Sequence, residues 1–441
     1  SGSDLKDSTG LTRLRALGVD VTVGHDPGLV LGVDVVVRST AVSDTNVEVE
    51  AALAAGVPVV RRAAALHAIS QLRSTVSIAG THGKTTTTSM LAICLIQSSL
   101  QPSFIVGGDV NDIGSGAVWD DDGELFVVEA DESDGTFLEI DTDVAVVTNV
   151  ERDHLEFHGS FEALIEAFRS FLRSASGKRI VCADDYWSAK LGAEFGAVTY
   201  GTASDADYRI VDVGFDMSLS TFSIVGPSAA DPDDADPDDA GESQTWGPIV
   251  LPVPGLHNVR NATAAFVTAI ELGADAQDAV AALGRFGGVA RRFEFRGDAG
   301  GITFVDDYAH LATEVAAAID AGRTGGWERV VAVFQPHRFS RTADVWQDFA
   351  DAFVDADIAV ITDIYPAGEK PRPGITGMLI AEAVLDAHPW DRVAYLPSRD
   401  QLRTYLADIL EPGDLCLTMG AGDLTSLPDE LIALQSDRSS Q

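Results

Sequence analysis

The sequence is short of basic residues, of cysteine and of long apolar runs. Thirty lysines and arginines stand against 68 aspartates and glutamates, which leaves a formal net charge of −38 at pH 7. A chain this acidic does not take nucleic acid as its main partner, because binding phosphate backbones needs a basic face. The three cysteines, Cys94, Cys182 and Cys416, are far apart and set in apolar stretches. They give neither a disulfide framework nor a metal spacing, so a reducing, cytoplasmic setting fits best. No apolar run is long enough to span a bilayer, which excludes membrane insertion by a helix. No repeat of solenoid type is present.

What remains is a globular composition. The hydrophobic fraction is 46%, too high for a disordered chain. At roughly 100–200 residues per domain, the 441 residues suggest two to four domains. Short β-branched runs alternate with helical stretches, the pattern of an α/β protein with parallel sheets. The first series predicts strands at Val19–Val23, Val33–Val37 and Val57–Val60, with a helix over Val47–Ala55. The second predicts strands at Thr75–Ala79, Leu125–Glu129 and Val144–Val150. The third predicts Ile302–Val305, Val330–Phe334, Ile358–Thr362 and Leu415–Met419. Breaks between domains are expected near Gln71–Arg73 and Arg291–Phe293. The acidic, proline-containing segment Asp231–Asp239 cannot pack or join a ladder, and reads as a solvated surface loop.

The sharpest motif is Gly80-Thr81-His82-Gly83-Lys84-Thr85-Thr86-Thr87-Thr88, placed between a strand and a helix. Gly80 and Gly83 let the backbone turn so that its N–H groups face an anion, and the helix N-terminus adds positive potential there. Lys84 can reach the terminal phosphates of a nucleotide, and the Thr85 hydroxyl is placed to ligate Mg²⁺. The spacing is shorter than that of the usual phosphate loop; the strand–loop–helix context supplies the missing specificity. The next two strands end at Glu129-Ala130-Asp131-Glu132-Ser133-Asp134 and at Thr148-Asn149-Val150-Glu151-Arg152-Asp153-His154. Carboxyl ends of parallel strands share one edge, where ligands bind. Glu129 and His154 are therefore expected to converge on the Mg²⁺ held by Thr85, with Glu129 the harder and better ligand. The cluster Asp131, Glu132 and Asp134 reads either as a solvated turn or as a group that orients a second cation or the substrate.

With these motifs placed, the chain resembles the Mur ligase family. Further matches are Gly255-Leu256-His257-Asn258-Val259-Arg260-Asn261, Arg291-Arg292-Phe293-Glu294, Val305-Asp306-Asp307-Tyr308, Phe334-Gln335-Pro336-His337-Arg338-Phe339-Ser340-Arg341-Thr342 and Tyr365-Pro366-Ala367-Gly368-Glu369. They run in family order to the Gly420-Ala421-Gly422-Asp423 turn. The resemblance implies three domains. These are an incomplete Rossmann-like N-terminal one over 1–72 for a UDP substrate, a central P-loop ATPase α/β domain over 73–291, and a Rossmann-like C-terminal one over 292–441 for an amino acid. It implies that ATP phosphorylates the lactyl carboxylate of UDP-N-acetylmuramate, and that the amine of L-alanine displaces phosphate, in peptidoglycan precursor synthesis. A monomer or homodimer is expected.

By matching positions, the resemblance gives Gly80, Thr81, His82, Gly83, Lys84, Thr85 and Thr86 to ATP. It also places Arg292 at the ATP phosphates, Asp307 at the ribose, and His257, Asn258 and Asn261 near the nucleotide. A helix N-terminal cap is the alternative for the two asparagines. Asp4, Ser39 and Thr40 fall to the UDP substrate. His310 is expected to position the amino acid. Arg338 and Arg341, following a strand, suit its α-carboxylate through their planar forks, the alternative being surface ion pairs.

Two departures stand out. The family's opening strand and glycine-rich loop have no counterpart before Ser1, so the first domain is expected to lack its central strand, to leave an open pairing edge and to bind the UDP substrate weakly. Leu311 and Ala312 stand where the family has a His and a Pro, which frees the backbone of a turn and removes a polar ring beside the amino-acid site. Two other functions stay open. One is a murein-peptide recycling ligase, against which the Glu132-Ser133-Asp134 and Val150–His154 stretches argue. The other is a nucleotide-binding relative without catalysis, acting as scaffold or regulator.

Overall fold

A computed structural model describes residues 1–39, 41–227 and 243–439. Thr40 and the Asp231–Asp239 segment lie outside the described residues. The strands are, in chain order, β1 (Gly2–Asp4), β2 (Val21–Val23), β3 (Val36–Arg38), β4 (Val59–Arg61), β5 (Ser74–Ala79), β6 (Ser103–Val110), β7 (Ser115–Val118), β8 (Leu125–Glu129), β9 (Val144–Val147) and β10 (Arg179–Cys182). They continue with β11 (Val198–Gly201), β12 (Tyr208–Asp216), β13 (Leu219–Pro227), β14 (Ser243–Leu251), β15 (Glu294–Ala299), β16 (Ile302–Asp307), β17 (Arg329–Phe334), β18 (Ile358–Ile361), β19 (Val393–Tyr395) and β20 (Asp414–Met419).

The central sheet has ten strands in the order β14-β13-β12-β11-β10-β9-β5-β8-β6-β7, and the C-terminal sheet six in the order β15-β16-β20-β17-β18-β19. Pairing is parallel through both interiors and antiparallel at β12–β13–β14, β6–β7 and β15–β16. The antiparallel extension β12–β14 was not among the expected strands. Helices cover both faces, and each sheet carries two continuous apolar clusters, one per face. Strands buried on both faces read as unbroken apolar runs, which is why Val144–Val147 is entirely buried. The helix Phe161–Ser174 shows the complementary logic. Ser160 caps it by accepting from Ala163 N at 3.2 Å, while Leu164, Ile165, Phe168, Phe171 and Leu172 share the buried face.

The N-terminal unit is different. Its strands form two separate parallel pairs, β1–β2 and β3–β4. The expected strands there are shortened by helix ends. Val19 N–H bonds back to Leu14 O and Val57 N–H to Ala52 O, which removes the start of each run from the ladder and leaves Val21–Val23 and Val59–Arg61. The third begins at Val36 and takes in Arg38, where Val33–Val37 was expected. The helix Val47–Ala55 matches its expectation. Elsewhere, β9 stops at Val147 where Val150 was expected, and β18 at Ile361 where Thr362 was expected; β16 runs two residues past Val305, through buried Asp306 and Asp307. Among the described residues, no helix is long and apolar enough to cross a membrane.

Candidate active site

β5, β8 and β9 lie side by side with Ile78 opposite Glu129 and Ala79 opposite Val147, so the three motifs emerge from one sheet edge. The loop after β5 needs both its glycines. Gly80 has φ +139° and a Cβ there would collide with the Thr148 hydroxyl; Gly83 has φ +81° and a Cβ there would strike the Asn261 side chain. Lys84 opens the helix Lys84–Gln97 and curls back over the loop. Its Nζ donates to Gly80 O at 2.6 Å, to Thr81 O at 3.3 Å and to both Glu132 oxygens at 3.0 and 2.8 Å. Burial alone would lower its pKa, but Glu132, Asp131 and Glu129 carry it above the ordinary lysine value. Glu132 is 1% exposed, and burial pushes its carboxyl up to about 7 against the pull of Lys84. Glu132 is therefore no part of a solvated turn.

Thr85 and Glu129 are brought together, hydroxyl to Oε1 at 3.0 Å, with Gly107 N–H on the other Glu129 oxygen at 2.7 Å. Two hard oxygen donors beside a phosphate loop fit Mg²⁺. His154 is not joined to them. Its ring faces Asp153 at 3.1 Å and Glu156 at 3.8 Å, and burial lowers its pKa despite Asp153. Among the described residues no three His, Cys, Asp or Glu side chains gather as a metal cluster.

A cavity of about 290 Å³ opens beside the loop, between the central and C-terminal units. His82, Gly83, Thr86, His257, Asn258, Asn261, Arg292 and Asp307 line it, together with Glu151, Asp184, Arg260 and Glu314. The expected nucleotide residues from both units thus meet on one space. Asn258 donates to Pro254 O at 2.7 Å, bracing the turn before the helix Leu256–Glu271, whose N-cap position is Gly255. Asp307 accepts from Phe293 and Ala309 N–H at 2.7 Å each, and burial pushes its pKa up to about 6. Burial, with Arg260 and Arg292 nearby, takes His257 down to about 4.

On the other side of the loop, Arg338 and Arg341 do cross the gap between units, toward acids. Arg341 donates to Asp153 at 3.2 Å and lies 3.1 Å from His337 Nδ1; its side chain is 12% exposed. Arg338 lies 3.7 Å from Glu156 and has φ +67°. His310 Nδ1 sits 3.1 Å from Tyr308 O and its ring makes edge contacts with Tyr308 and His337; burial takes its pKa down to about 4. Leu311 is buried and Ala312 begins the helix Ala312–Gly325. The turn expected to be freed by the absent proline is instead held by Glu314, which accepts from His310 and Leu311 N–H. Asp4 and Ser39 line a separate cavity of about 630 Å³ between the two N-terminal strand pairs.

Several contributors were not singled out from sequence. Glu151 and Glu314 both contact His82, and Asp153 holds Arg341. For Glu314 a local signal existed, since an acid three residues past a helix start is a capping signature.

Such a site, a phosphate loop facing arginines of a second α/β unit, defines an ATP-dependent ligase class. Family models agree. The Mur ligase family, catalytic domain, matches residues 1–74, the Mur ligase middle domain 78–269, and the Mur ligase, glutamate ligase domain, 291–422. The chain belongs to the Mur ligase family. It is 43% identical, over 98% of its length and 92% of the relative's, to UDP-N-acetylmuramate–L-alanine ligase of Bradyrhizobium sp. (strain ORS 278). To the enzyme of the same name from Desulforamulus reducens it is 41% identical over 98% of its length and 91% of the relative's. Among solved structures, the UDP-N-acetylmuramate–alanine ligase of Thermotoga maritima superposes with a TM-score of 0.77 at 25% identity, covering 100% of this chain and 93% of that one.

Proposed function

We propose that the protein is an ATP-dependent ligase that joins L-alanine to the lactyl carboxylate of UDP-N-acetylmuramate, a step in peptidoglycan precursor synthesis. The observation that carries this reading is the 43% identity over 98% of the chain to a curated ligase of that activity; the site chemistry supports it. The γ-phosphoryl group of ATP passes to a carboxylate oxygen, ADP leaves, and the amine attacks the acyl carbon. A tetrahedral intermediate then expels inorganic phosphate, leaving an amide. Phosphoryl transfer needs charge neutralisation and in-line positioning more than covalent help.

In this reading Lys84, held charged over the loop by Glu132, reaches the γ-phosphate. Thr85 and Glu129 would hold Mg²⁺, and His154 would join them only by leaving Asp153. Bound Mg²⁺ supplies neutralisation of charge on the phosphate oxygens. Arg292 reaches the phosphates, Asp307 the ribose, and His257, Asn258 and Asn261 the rest of the nucleotide. Arg338 and Arg341 exchange Glu156 and Asp153 for the α-carboxylate of the amino acid, with neutral His310 beside them. Asp4, Ser39 and Thr40 serve the UDP substrate. The protein works in the cytoplasm as a monomer or homodimer.

The test is phosphate release that requires both UDP-N-acetylmuramate and L-alanine, with oxygen-18 from the labelled lactyl carboxylate recovered in phosphate. Release driven by a preformed peptide in place of L-alanine would instead identify a recycling ligase. Tight ATP binding with no amine-dependent release would identify a scaffold.

A further inference from the structure

One buried carboxylate at the nucleotide cavity has no task in the proposed reaction. Glu314 lies in the first turn of the helix Ala312–Gly325 and its side chain is 11% exposed. Its Oε2 accepts from His310 N–H at 2.8 Å and Leu311 N–H at 3.1 Å, which fixes the start of the helix and the loop before it. Its Oε1 lies 3.0 Å from Nδ1 of His82, the third residue of the phosphate loop and 232 positions away in the chain. The same ring meets Glu151 Oε2 through Nε2 at 3.3 Å, and Thr313 donates to that oxygen at 2.7 Å. The His82 backbone is held as well, its N–H donating to Asn149 Oδ1 at 2.8 Å and its carbonyl accepting from Asn149 Nδ2 at 3.1 Å. Arg292 stands 3.9 Å from Glu314. Two carboxylates, one from each unit, therefore close around the His82 ring, with Arg292 on the far side of Glu314.

A cap alone would occupy a single carboxylate oxygen. Here the second oxygen is spent on a residue of another unit, and the His82 ring has both nitrogens engaged by acids. We propose that Glu314 is a positioning residue that ties the phosphate loop, through His82, to the loop carrying His310, so that the ATP side and the amino-acid side of the site are set together. Its use in catalysis rests on the ligase reading above; the tie itself does not.

Amide hydrogen exchange on the full, ligand-free chain tests it. Glu314→Gln keeps a carbonyl oxygen for the two capping N–H groups but turns an amide N–H₂ toward the ring. It is expected to speed exchange of amides 80–84 by about tenfold. His82→Asn is expected to do the same to amides 310–314, and the double variant to be no faster than either single one, as coupled residues require. If each variant alters only its own segment, or the two effects multiply, the proposal is overturned. Should Glu314→Gln unfold, His82→Asn and Glu151→Gln report from the other side of the contact, and silence at 310–314 in both overturns it equally. In turnover, Glu314→Gln is expected to raise the KM for L-alanine and for ATP together by about threefold or more, with kcat moved less. Failure of the ligase reading shows separately, as no L-alanine-dependent phosphate release from the unaltered chain while the exchange coupling persists.

Discussion

The N-terminal and C-terminal units are written in the same alternation of short strands and helices, yet they are held together differently. In the C-terminal unit six strands form one sheet, and both faces of its inner strands are buried. Phe334 on β17 is fully buried, with ring contacts to Phe349 and Phe353. In the N-terminal unit the described strands form two separate pairs, and Val37 on β3 is 51% exposed, Leu31 75% and Leu5 71%. A parallel strand is stabilised through its neighbours and through layers on both faces. Where the sheet is interrupted, the same kind of residue contributes little. The candidate site follows this division: the central and C-terminal units line the cavity beside the phosphate loop, while Asp4 and Ser39 of the N-terminal unit line a separate one.

The contrast sharpens most at Lys84, where chemistry and packing can be separated inside a well-built unit. Lys84→Ala is expected to lower turnover by about 10³-fold or more with the circular dichroism spectrum retained; a near-normal rate would refute its role. Next come the paired strand positions. Phe334→Ala should cost about 3–5 kcal/mol, and Val37→Ala less than about 0.5 kcal/mol, both read from denaturant unfolding followed unit by unit. Comparable costs would erase the distinction drawn between the two sheets. A smaller effect is expected at Arg338, whose substitution by Ala should raise the KM for L-alanine about tenfold while ATP affinity changes less than about twofold. Equal losses would move Arg338 from the amino acid to the nucleotide.

Much of this was legible in the sequence, and what was not has identifiable physical causes. The glycine turn between β5 and the helix Lys84–Gln97 and the strand Leu125–Glu129 are legible directly, because glycines and an apolar run ending in an acid are local signals. β9 was expected to reach Val150 but ends at Val147; past it Thr148 N–H still donates to Ala79 O, while the Thr148 hydroxyl and Asn149 amide donate to His82 O in the loop. β16 was expected to stop at Val305 because Asp306 and Asp307 are polar. Arg291, Thr418 and Thr425 satisfy Asp306, and backbone N–H groups satisfy Asp307, so the strand continues into the core. His82 was read as one more loop residue. Its acid partners lie 69 and 232 positions away, and no periodicity within a window reports such a pairing.

That pairing yields the finest test of how the units are joined. Burial opposes charge on the His82 ring, but Glu314 and Glu151 outweigh it and raise its pKa from 6.5 to about 10. A histidine whose folded-state pKa lies above its unfolded value adds stability that is fully present below about pH 6.5 and is lost as the pH rises through about 10. His82→Asn should therefore lower the melting temperature at pH 6, and the gap between variant and unaltered chain should shrink steadily toward pH 10. Lys84 and the other titrating groups are common to both proteins, so the difference reports His82 with the two acids it faces; beside Glu314 stand also Arg292 at 3.9 Å and the His310 ring at 3.2 Å, whose burial keeps it neutral across this range. A gap that stays constant across this range would mean that the ring is neutral and that the two units are joined there by shape alone.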